Sequence, residues 1–277
     1  MSVGTNLIGK TAEINGFRIY YEESKNMEQR QTLVMLHGFL SSSFSFRKLI
    51  PYLTNDYHVI CVDMPPFGKS DKSKKYFYSY KNIAETVLQL TDTLGIRTFS
   101  LTGHSMGGQI ALNMMLHHPE KIKKAILLAS SSYYKRAKKH HVLASYLPFF
   151  SQFVKHYLGR TGVIGNLKNV VYDQSLIDRT MIQGYAEQFE DSRIFSALAR
   201  MIRHREGDLP EECLRKIQTP CLLIWGEHDR IVPLQIGERL VQDLPNSQLV
   251  VLKNTGHLLP EEKPQKVYEQ IRKFLNT

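Results

Sequence analysis

The sequence has few cysteines, and their arrangement predicts no disulfide framework. Only three occur in 277 residues, namely Cys61, Cys213 and Cys221. An odd number at irregular spacing is not the pattern of a small disulfide-stabilised secreted domain. A reducing, cytoplasmic environment is therefore the predicted location.

Long apolar runs are absent as well. No segment approaches the roughly 18 consecutive apolar residues that span a bilayer, and the first residues lack the charged and apolar regions of a signal peptide. The composition, 42% hydrophobic and 22% charged, is typical of globular domains. We expect one large domain, or one domain with an insertion.

The charge is not balanced, with a formal net charge of +10. Such an excess can serve nucleic acids, anionic membranes or acidic substrates. No nucleic-acid motif is present, so no nucleic-acid partner is predicted. A solvated basic surface is the simplest interpretation, and weak contact with an anionic membrane surface is the alternative. The oligomeric state is left open.

Strand and helix signals alternate along the chain after a strong hairpin signal at Asn15-Gly16. This order predicts an α/β fold with a mostly parallel central sheet, an antiparallel N-terminal edge and helices on both faces. The predicted strands cover Thr11–Ile14, Phe17–Glu22, Thr32–Leu36, Tyr57–Val62, Thr98–Thr102, Ala125–Ala129, Cys221–Trp225 and Gln248–Leu252. The clearest helices cover Ile83–Leu94, Gln109–His118 and Pro264–Leu275.

Residues 133–208 interrupt this alternation with mainly helical patterns. We predict a helical cap inserted into a core formed by residues 1–132 and 209–277, lying over the carboxyl edge of the sheet, where α/β folds bind ligands. Pro148 is expected to kink or split a cap helix.

Two features of the predicted cap each have two interpretations. Its aromatic side chains either line a substrate pocket or pack on the core, and they are Tyr146, Phe149, Phe150, Phe153 and Tyr157. The basic run at residues 135–141 is either a solvated turn or a patch that attracts anionic lipid or acidic substrates.

A Gly-x-Ser-x-Gly motif joins a predicted strand to a predicted helix. Gly103 and Gly107 flank Ser105, because a Cβ at either position would meet the neighbouring strand or helix. The turn raises the Ser105 hydroxyl above the sheet and leaves the Met106 N–H free at the start of the helix. A serine needs a base and an orienting acid to act as a nucleophile.

Candidates for the acid and the base follow the last two strands. Asp229 comes after one strand and His257 after the next, so both are expected at the same sheet edge as Ser105. His257 is the predicted general base, and Asp229 is predicted to orient it. Glu227 and Asp243 compete for the role of the acid.

The loop after the third strand is a candidate oxyanion site. It reads His37-Gly38-Phe39, and the backbone N–H of Phe39 can point at a substrate oxygen together with the N–H of Met106. His37 is predicted to hold this loop by hydrogen bonds.

These motifs together resemble the α/β-hydrolase superfamily, and the resemblance covers almost the whole chain. Within it, the sequence is similar to small capped carboxylesterases and C–C bond hydrolases. The motifs occupy residues 37–39, 103–108, 226–233 and 256–257, in the family's order of nucleophile, acid and base. The resemblance implies hydrolysis of an ester or related acyl bond through an acyl-enzyme, without a cofactor.

The predicted function is therefore hydrolysis of a small or medium apolar carboxylic ester. The alternatives are a C–C bond hydrolase or perhydrolase on the same fold, and a ligand-sensing protein with a slow triad. No metal site is predicted, because the neighbouring histidines 117–118 and 140–141 lack the spacing of a zinc helix.

Overall fold

Eight strands form one sheet in the computed structural model, which describes residues 7–25 and 30–276. The spatial order is β1-β2-β4-β3-β5-β6-β7-β8. Strand β2 runs antiparallel to both of its neighbours, β1 and β4. The six strands that follow in space, from β4 through β3 and β5 to β8, are parallel to one another. The strands are β1 (Leu7–Ile14), β2 (Phe17–Ser24), β3 (Thr32–Leu36), β4 (His58–Val62), β5 (Phe99–His104), β6 (Ile122–Leu128), β7 (Cys221–Gly226) and β8 (Ser247–Leu252).

Helices pack around this sheet, so the predicted α/β fold with its antiparallel N-terminal edge is confirmed. Helix α2 packs on α3, and α1 packs on α11. The helices are α1 (Ile50–Leu53), α2 (Tyr80–Thr93), α3 (Met106–His117), α4 (Lys139–Ala144), α5 (Phe150–Val170), α6 (Arg179–Ala186), α7 (Arg193–His204), α8 (Glu211–Leu214), α9 (Leu234–Asp243), α10 (Leu259–Glu262) and α11 (Pro264–Leu275). Single 3₁₀ turns lie at Ser43–Phe46, Pro119–Lys121, Gln174–Leu176 and Glu187–Phe189.

The hairpin between β1 and β2 follows from its two turn residues. Asn15 and Gly16 both have positive φ, 52° and 77°, as a type I′ turn requires. The ladder continues to the pair Leu7↔Ser24, so β1 begins four residues before the predicted strand. Those extra residues alternate less clearly because β1 is an exposed edge strand.

The apolar runs of the central strands reflect burial on both faces. Every residue of β4, β5 and β7 is buried, whereas the edge strand β8 is mostly half-buried or exposed. Parallel strands covered by helices on both sides have this pattern. The covered sheet fixes the positions of the loops at its carboxyl edge.

The chain between β6 and β7 carries five helices, α4 to α8. Most of this segment lies between Tyr134 and Asp208, and these two residues contact each other. The Asp208 N–H donates to the Tyr134 carbonyl at 2.8 Å, and the Tyr134 N–H donates to the Asp208 carboxylate at 3.1 Å. Pro148 lies in the turn between α4 and α5, and α5 itself is kinked at Gly162. Within the described ranges, no helix is both long and apolar enough to cross a membrane.

Substitution of Gly226, the last residue of β7, tests how closely the loops at the carboxyl edge of the sheet pack. A Cβ at this position would overlap the carbonyl oxygens of Gly256 and Thr255. We expect Gly226→Ala to lower the free energy of unfolding by about 1–3 kcal/mol, because backbone atoms cannot swing aside as a side chain can. Urea denaturation followed by circular dichroism measures the change.

Gly159 provides the matched control, since it lies in α5 and a Cβ there would meet no atom within 4 Å. Gly159→Ala should be neutral or stabilising, because alanine favours the helix. Equal losses in the two variants would contradict the close approach at Gly226.

Candidate active site

Ser105 lies on a sharp turn between β5 and α3. Its φ of 53° is in the left-handed region, which is uncommon for a residue with a Cβ. Four backbone hydrogen bonds hold this conformation. The Ser105 N–H donates to the Leu128 carbonyl at 2.9 Å, and the Ser105 carbonyl accepts from Gly108 and Ser131 at 2.9 Å and from Gln109 at 3.4 Å. The turn is thus fixed by β6 as well as by its own helix.

The glycines of the motif are required by contacts with backbone atoms. A Cβ on Gly103 would lie 2.7 Å from the Cα of Gly108. A Cβ on Gly107 would lie 2.6 Å from the carbonyl oxygen of His37. Strand β5, helix α3 and the end of β3 therefore approach each other more closely than any side chain would allow.

The predicted acid and base are hydrogen-bonded to each other. His257 Nδ1 donates to Asp229 Oδ2 at 2.7 Å. The other carboxylate oxygen of Asp229 accepts the backbone N–H groups of Ile231 and Val232 at 2.8 and 2.9 Å. Both side chains are buried, so the acid fixes the ring orientation through Nδ1 and leaves Nε2 of His257 free of this contact.

The two competing acids lie elsewhere. Glu227 is exposed and pairs with the neighbouring His228 at 3.5 Å. Asp243 accepts the Tyr133 hydroxyl at 2.7 Å and lies 3.6 Å from Arg215. Neither carboxylate contacts the His257 ring among the hydrogen bonds of the described residues.

Ser105 and His257 belong to the same loop cluster but are not bonded to each other. Across the described part of the chain, no hydrogen bond joins the Ser105 hydroxyl to the His257 ring. Such bonds are often long until a reacting group is bound. The side chain of His104, next to Ser105, lies between the two loops, with its ring centroid 4.8 Å from that of His257.

His37 fixes the loop that carries Phe39. Its Nδ1 donates to the Gly38 carbonyl at 2.7 Å, and its Nε2 accepts the Met64 N–H at 2.9 Å. Both ring nitrogens are used in the neutral form, and burial lowers the pKa of His37 to about 4. These two hydrogen bonds thus support the predicted structural role of His37.

Two backbone amides beside Ser105 are available to a ligand. Within residues 7–25 and 30–276, neither the Phe39 N–H nor the Met106 N–H donates a hydrogen bond. Met106 is the first residue of α3, so its amide also lies at the positive end of a helix dipole. Gly38 lies against the turn, since a Cβ there would be 3.3 Å from the Cβ of Ser105.

His104 is held as a neutral donor. Its Nε2 donates to the His257 carbonyl at 2.9 Å, and its Nδ1 is buried without a partner among the described residues. Burial, and then the nearby His257 ring, lower the pKa of His104 to about 3. A ring that stays neutral and points at the His257 backbone is not placed to take a proton from Ser105.

Glu262 positions the loop of the predicted base, and the sequence contains no signal for it. Its carboxylate accepts the backbone N–H groups of Gly256 and Tyr172 at 3.0 and 2.9 Å. The His257 N–H in turn donates to the Val170 carbonyl at 2.7 Å. Burial raises the pKa of Glu262, although its amide hydrogen bonds oppose the shift. The end of α5 is thereby tied to the loop of His257.

A cavity of about 1230 Å³ lies above the turn. Ser105, Phe39 and Met106 line the side of the cavity that faces the sheet, and the chain from Tyr134 to Arg205 contributes most of the remaining wall. The wall is mainly apolar. Its charged members, Lys135 and Arg205, are cationic, and no described Asp or Glu lines the cavity.

The fold and the site together define a class, the α/β hydrolases. The defining features are a mostly parallel sheet covered by helices, a strained serine turn and an Asp–His pair at the carboxyl edge of the sheet. A family model described as "alpha/beta hydrolase fold" matches residues 31–264. The chain belongs to this family.

Several known proteins are similar to the chain over most of its length. An "Uncharacterized hydrolase YugF" of Bacillus subtilis is 50% identical over 262 residues, covering 95% of this chain and 96% of the relative. An "Uncharacterized carboxylesterase nap" of the same organism is 29% identical and covers 90% and 80%. A "2-hydroxy-6-oxononadienedioate/2-hydroxy-6-oxononatrienedioate hydrolase" of Paraburkholderia phymatum is also 29% identical and covers 93% and 91%.

The neutral state of His104 predicts an acid sensitivity of folding. An unfolded histidine has a pKa of about 6.5, so below that pH the unfolded chain binds a proton that the folded chain excludes down to about pH 3. The free energy of unfolding should therefore fall as pH decreases through this window, on the order of 1 kcal/mol per pH unit from this group.

His104→Gln keeps an N–H donor for the His257 carbonyl but removes the titrating ring. We expect urea unfolding between about pH 6.5 and 4 to show a shallower loss of stability in the variant than in the wild type. His156 lies exposed on α5, and His156→Gln should reproduce the wild-type slope. A slope unchanged by His104→Gln would contradict the assignment of a neutral His104.

Proposed function

We propose that this protein is a serine hydrolase that cleaves small or medium apolar carboxylic esters through an acyl-enzyme. Ser105 is the nucleophile, His257 the general base and Asp229 the acid that orients it. The observation that carries the proposal is the combination of a strained Ser105 lining the cavity with the 2.7 Å hydrogen bond between His257 and Asp229.

In the first half of the reaction, Ser105 Oγ attacks the ester carbonyl carbon while His257 Nε2 takes the hydroxyl proton. The tetrahedral oxyanion then accepts hydrogen bonds from the Phe39 and Met106 amides, which donate to no other group in the described part of the chain. The bond to the leaving oxygen breaks, and His257 returns its proton to the alcohol. Asp229 stabilises the charged His257 ring at both proton transfers.

In the second half, a water molecule attacks the acyl carbonyl carbon and gives its proton to His257. The same amides hold the second oxyanion, the bond to Ser105 Oγ breaks, and His257 protonates the serine. The products are a carboxylic acid and an alcohol. Every proton moves between His257 and a reacting oxygen, so no step needs a further group.

The apolar wall favours a substrate with an apolar acyl or alcohol part. Residues 133–208 form the cap in this proposal, and the meeting of Tyr134 with Asp208 supports these bounds. Phe149, Phe150, Phe153 and Tyr157 line the cavity, which favours the pocket-wall interpretation over simple core packing for these four. Tyr146 instead stacks under Arg203 at 4.1 Å.

Initial rates on p-nitrophenyl esters from acetyl to palmitoyl test the proposal. Ser105→Ala should lower kcat/KM by about 10⁴-fold or more, and Asp229→Asn by a similar factor because His257 would lose its orientation. Ser192→Ala is the matched control, since this exposed residue before α7 makes no side-chain cap. A Ser105→Ala enzyme with near wild-type turnover would disprove the role of Ser105.

The charges of the cavity support a second candidate, hydrolysis of a C–C bond in a carboxylate-bearing substrate. The similar Paraburkholderia phymatum protein is named for a dienedioate. Arg205 lines the cavity, and its nearest polar partners are the Tyr80 hydroxyl at 3.3 Å and the Lys135 carbonyl at 3.4 Å. Loss of absorbance of a 2-hydroxy-6-oxodienoate, with no activity on any ester, would favour this candidate.

For either reaction we expect Arg205 to recognise an anionic end of the substrate. Arg205→Gln should raise KM about tenfold for a p-nitrophenyl monoester of a dicarboxylic acid, because one charge-assisted hydrogen bond is lost. KM for a neutral ester of equal length should stay the same. Arg200→Gln, outside this cavity, is the control, and equal KM changes for both esters would contradict the assignment.

A further inference from the structure

The positive charge of the molecule is concentrated in one segment. The chain has 36 Lys and Arg and 26 Asp and Glu, but residues 121–172 contain ten basic and no acidic residues. The rest of the chain therefore carries 26 residues of each sign and is formally neutral. The whole net charge of +10 comes from this segment.

The basic residues around α4 and α5 are not used in ion pairs. Seven lie between residues 133 and 172, all are exposed, and none lies within ion-pair distance of an acidic side chain in the described part of the chain. They are Lys135, Arg136, Lys138, Lys139, Lys155, Arg160 and Lys168. Their field is therefore directed at solvent or at a partner.

The same segment exposes an unusual share of the apolar surface. Nine of the fifteen large apolar side chains that are exposed in the described residues lie between 133 and 172. The most exposed are Phe149 at 77%, Leu143 at 69% and Tyr146 at 65%. Exposed apolar side chains gathered on one helical element commonly mark an interaction site.

This apolar surface surrounds the opening of the cavity. Leu147, Phe149, Phe153 and Tyr157 line the cavity although each is more than half exposed, so these side chains form its rim. Phe39, which is 51% exposed, lines the cavity from the core side. Whatever covers the rim also covers the way to Ser105.

We propose that the surface formed by residues 135–160, the α4–α5 face, docks on a lipid bilayer that contains anionic lipids. The apolar side chains enter the interfacial region, and the lysines and arginines contact the lipid phosphates. In this orientation the cavity opens into the membrane, and an apolar substrate reaches Ser105 without crossing water. The proposal concerns binding and does not depend on which bond the protein hydrolyses.

Two other occupants fit the surface less well. In a dimer formed through this face, the basic residues of both copies would be brought together without acidic partners, which is unfavourable. Single-stranded nucleic acid would find cationic and aromatic groups, but the exposed aliphatic Leu143 and Leu147 gain little from stacked bases. A bilayer satisfies the aliphatic, aromatic and cationic groups at once.

Sedimentation with sucrose-loaded vesicles tests the docking directly. The Ser105→Ala protein is mixed with vesicles of phosphatidylcholine alone or of phosphatidylcholine with phosphatidylglycerol, so that no hydrolysis alters the lipid. We expect the protein to pellet with the anionic vesicles and much less with the neutral ones. High salt should release it, since the attraction is screened.

Variants outside the cavity lining separate the charge from the apolar contribution. Lys138→Gln with Lys139→Gln should lower the partition coefficient on anionic vesicles by about fivefold per charge. Leu143→Gln should lower partitioning on both vesicle types. The control pair Lys216→Gln with Lys273→Gln lies exposed near the amino ends of the strands and should bind as the unsubstituted protein does.

Four results would overturn the proposal. Two concern the vesicles: a protein that stays in the supernatant with anionic vesicles, or an equal loss of binding in the two lysine pairs. Two concern other occupants: a solution dimer that Leu143→Gln converts to a monomer, or tight binding of oligothymidine that vesicles do not displace. If any of these results is found while the wild type hydrolyses esters in water, the docking proposal is wrong and the proposed function is unaffected. If the wild type hydrolyses no ester but vesicle binding is intact, the proposed function is wrong and the docking proposal is unaffected.

Discussion

The close packing of backbone against backbone at the end of β5 is the constraint on which the candidate site depends. Gly103 and Gly107 leave no room for a Cβ, and this lets α3 begin directly against β3 and β5. The result is a φ of 53° at Ser105, a conformation that costs on the order of 1–3 kcal/mol. The hydrogen bonds from β6 and α3 over-determine the turn, so the unfavourable conformation persists at a residue that lines the cavity.

Electrostatics then distinguishes three histidines that lie within one loop cluster. His37 and His104 are kept neutral because burial disfavours the imidazolium, and each uses a ring N–H to hold a loop carbonyl. Of these three, only His257 has a carboxylate partner among the residues that the structure describes. The Asp229 carboxylate therefore holds the orientation of the His257 ring, whereas the two neighbouring rings position the loops through their neutral N–H groups.

The sequence predicted the features that depend on local patterns. Three such features are the alternation of strands and helices, the Asn15-Gly16 turn and the connection of β5 to α3 through Ser105. Each requires particular residues at particular spacings, so each can be recognised from the sequence alone. The choice of Asp229 over Glu227 and Asp243 followed from its sequence context in the motif at residues 226–233, and it stays a prediction until the variants are measured.

What the sequence could not predict depends on contacts between distant segments. Glu262 bonds to residues some 90 positions away, and Asp208 joins the end of the helical insertion to Tyr134. Neither has a motif, because a buried carboxylate that accepts backbone amides needs only the right position in space.

The exposure of the cavity rim and the charge of the segment that carries it have one physical explanation in common. Apolar side chains that stay in water forgo roughly 25 cal/mol for each Å² they could bury, and unpaired like charges repel one another. Either feature alone would be unfavourable for an isolated molecule. An anionic interface removes both penalties together, since lipid chains cover the rim and phosphates neutralise the lysines. The part of the chain outside residues 121–172, which is neutral in sum, adds no net attraction of its own, so the field orients the molecule with its cavity towards the interface.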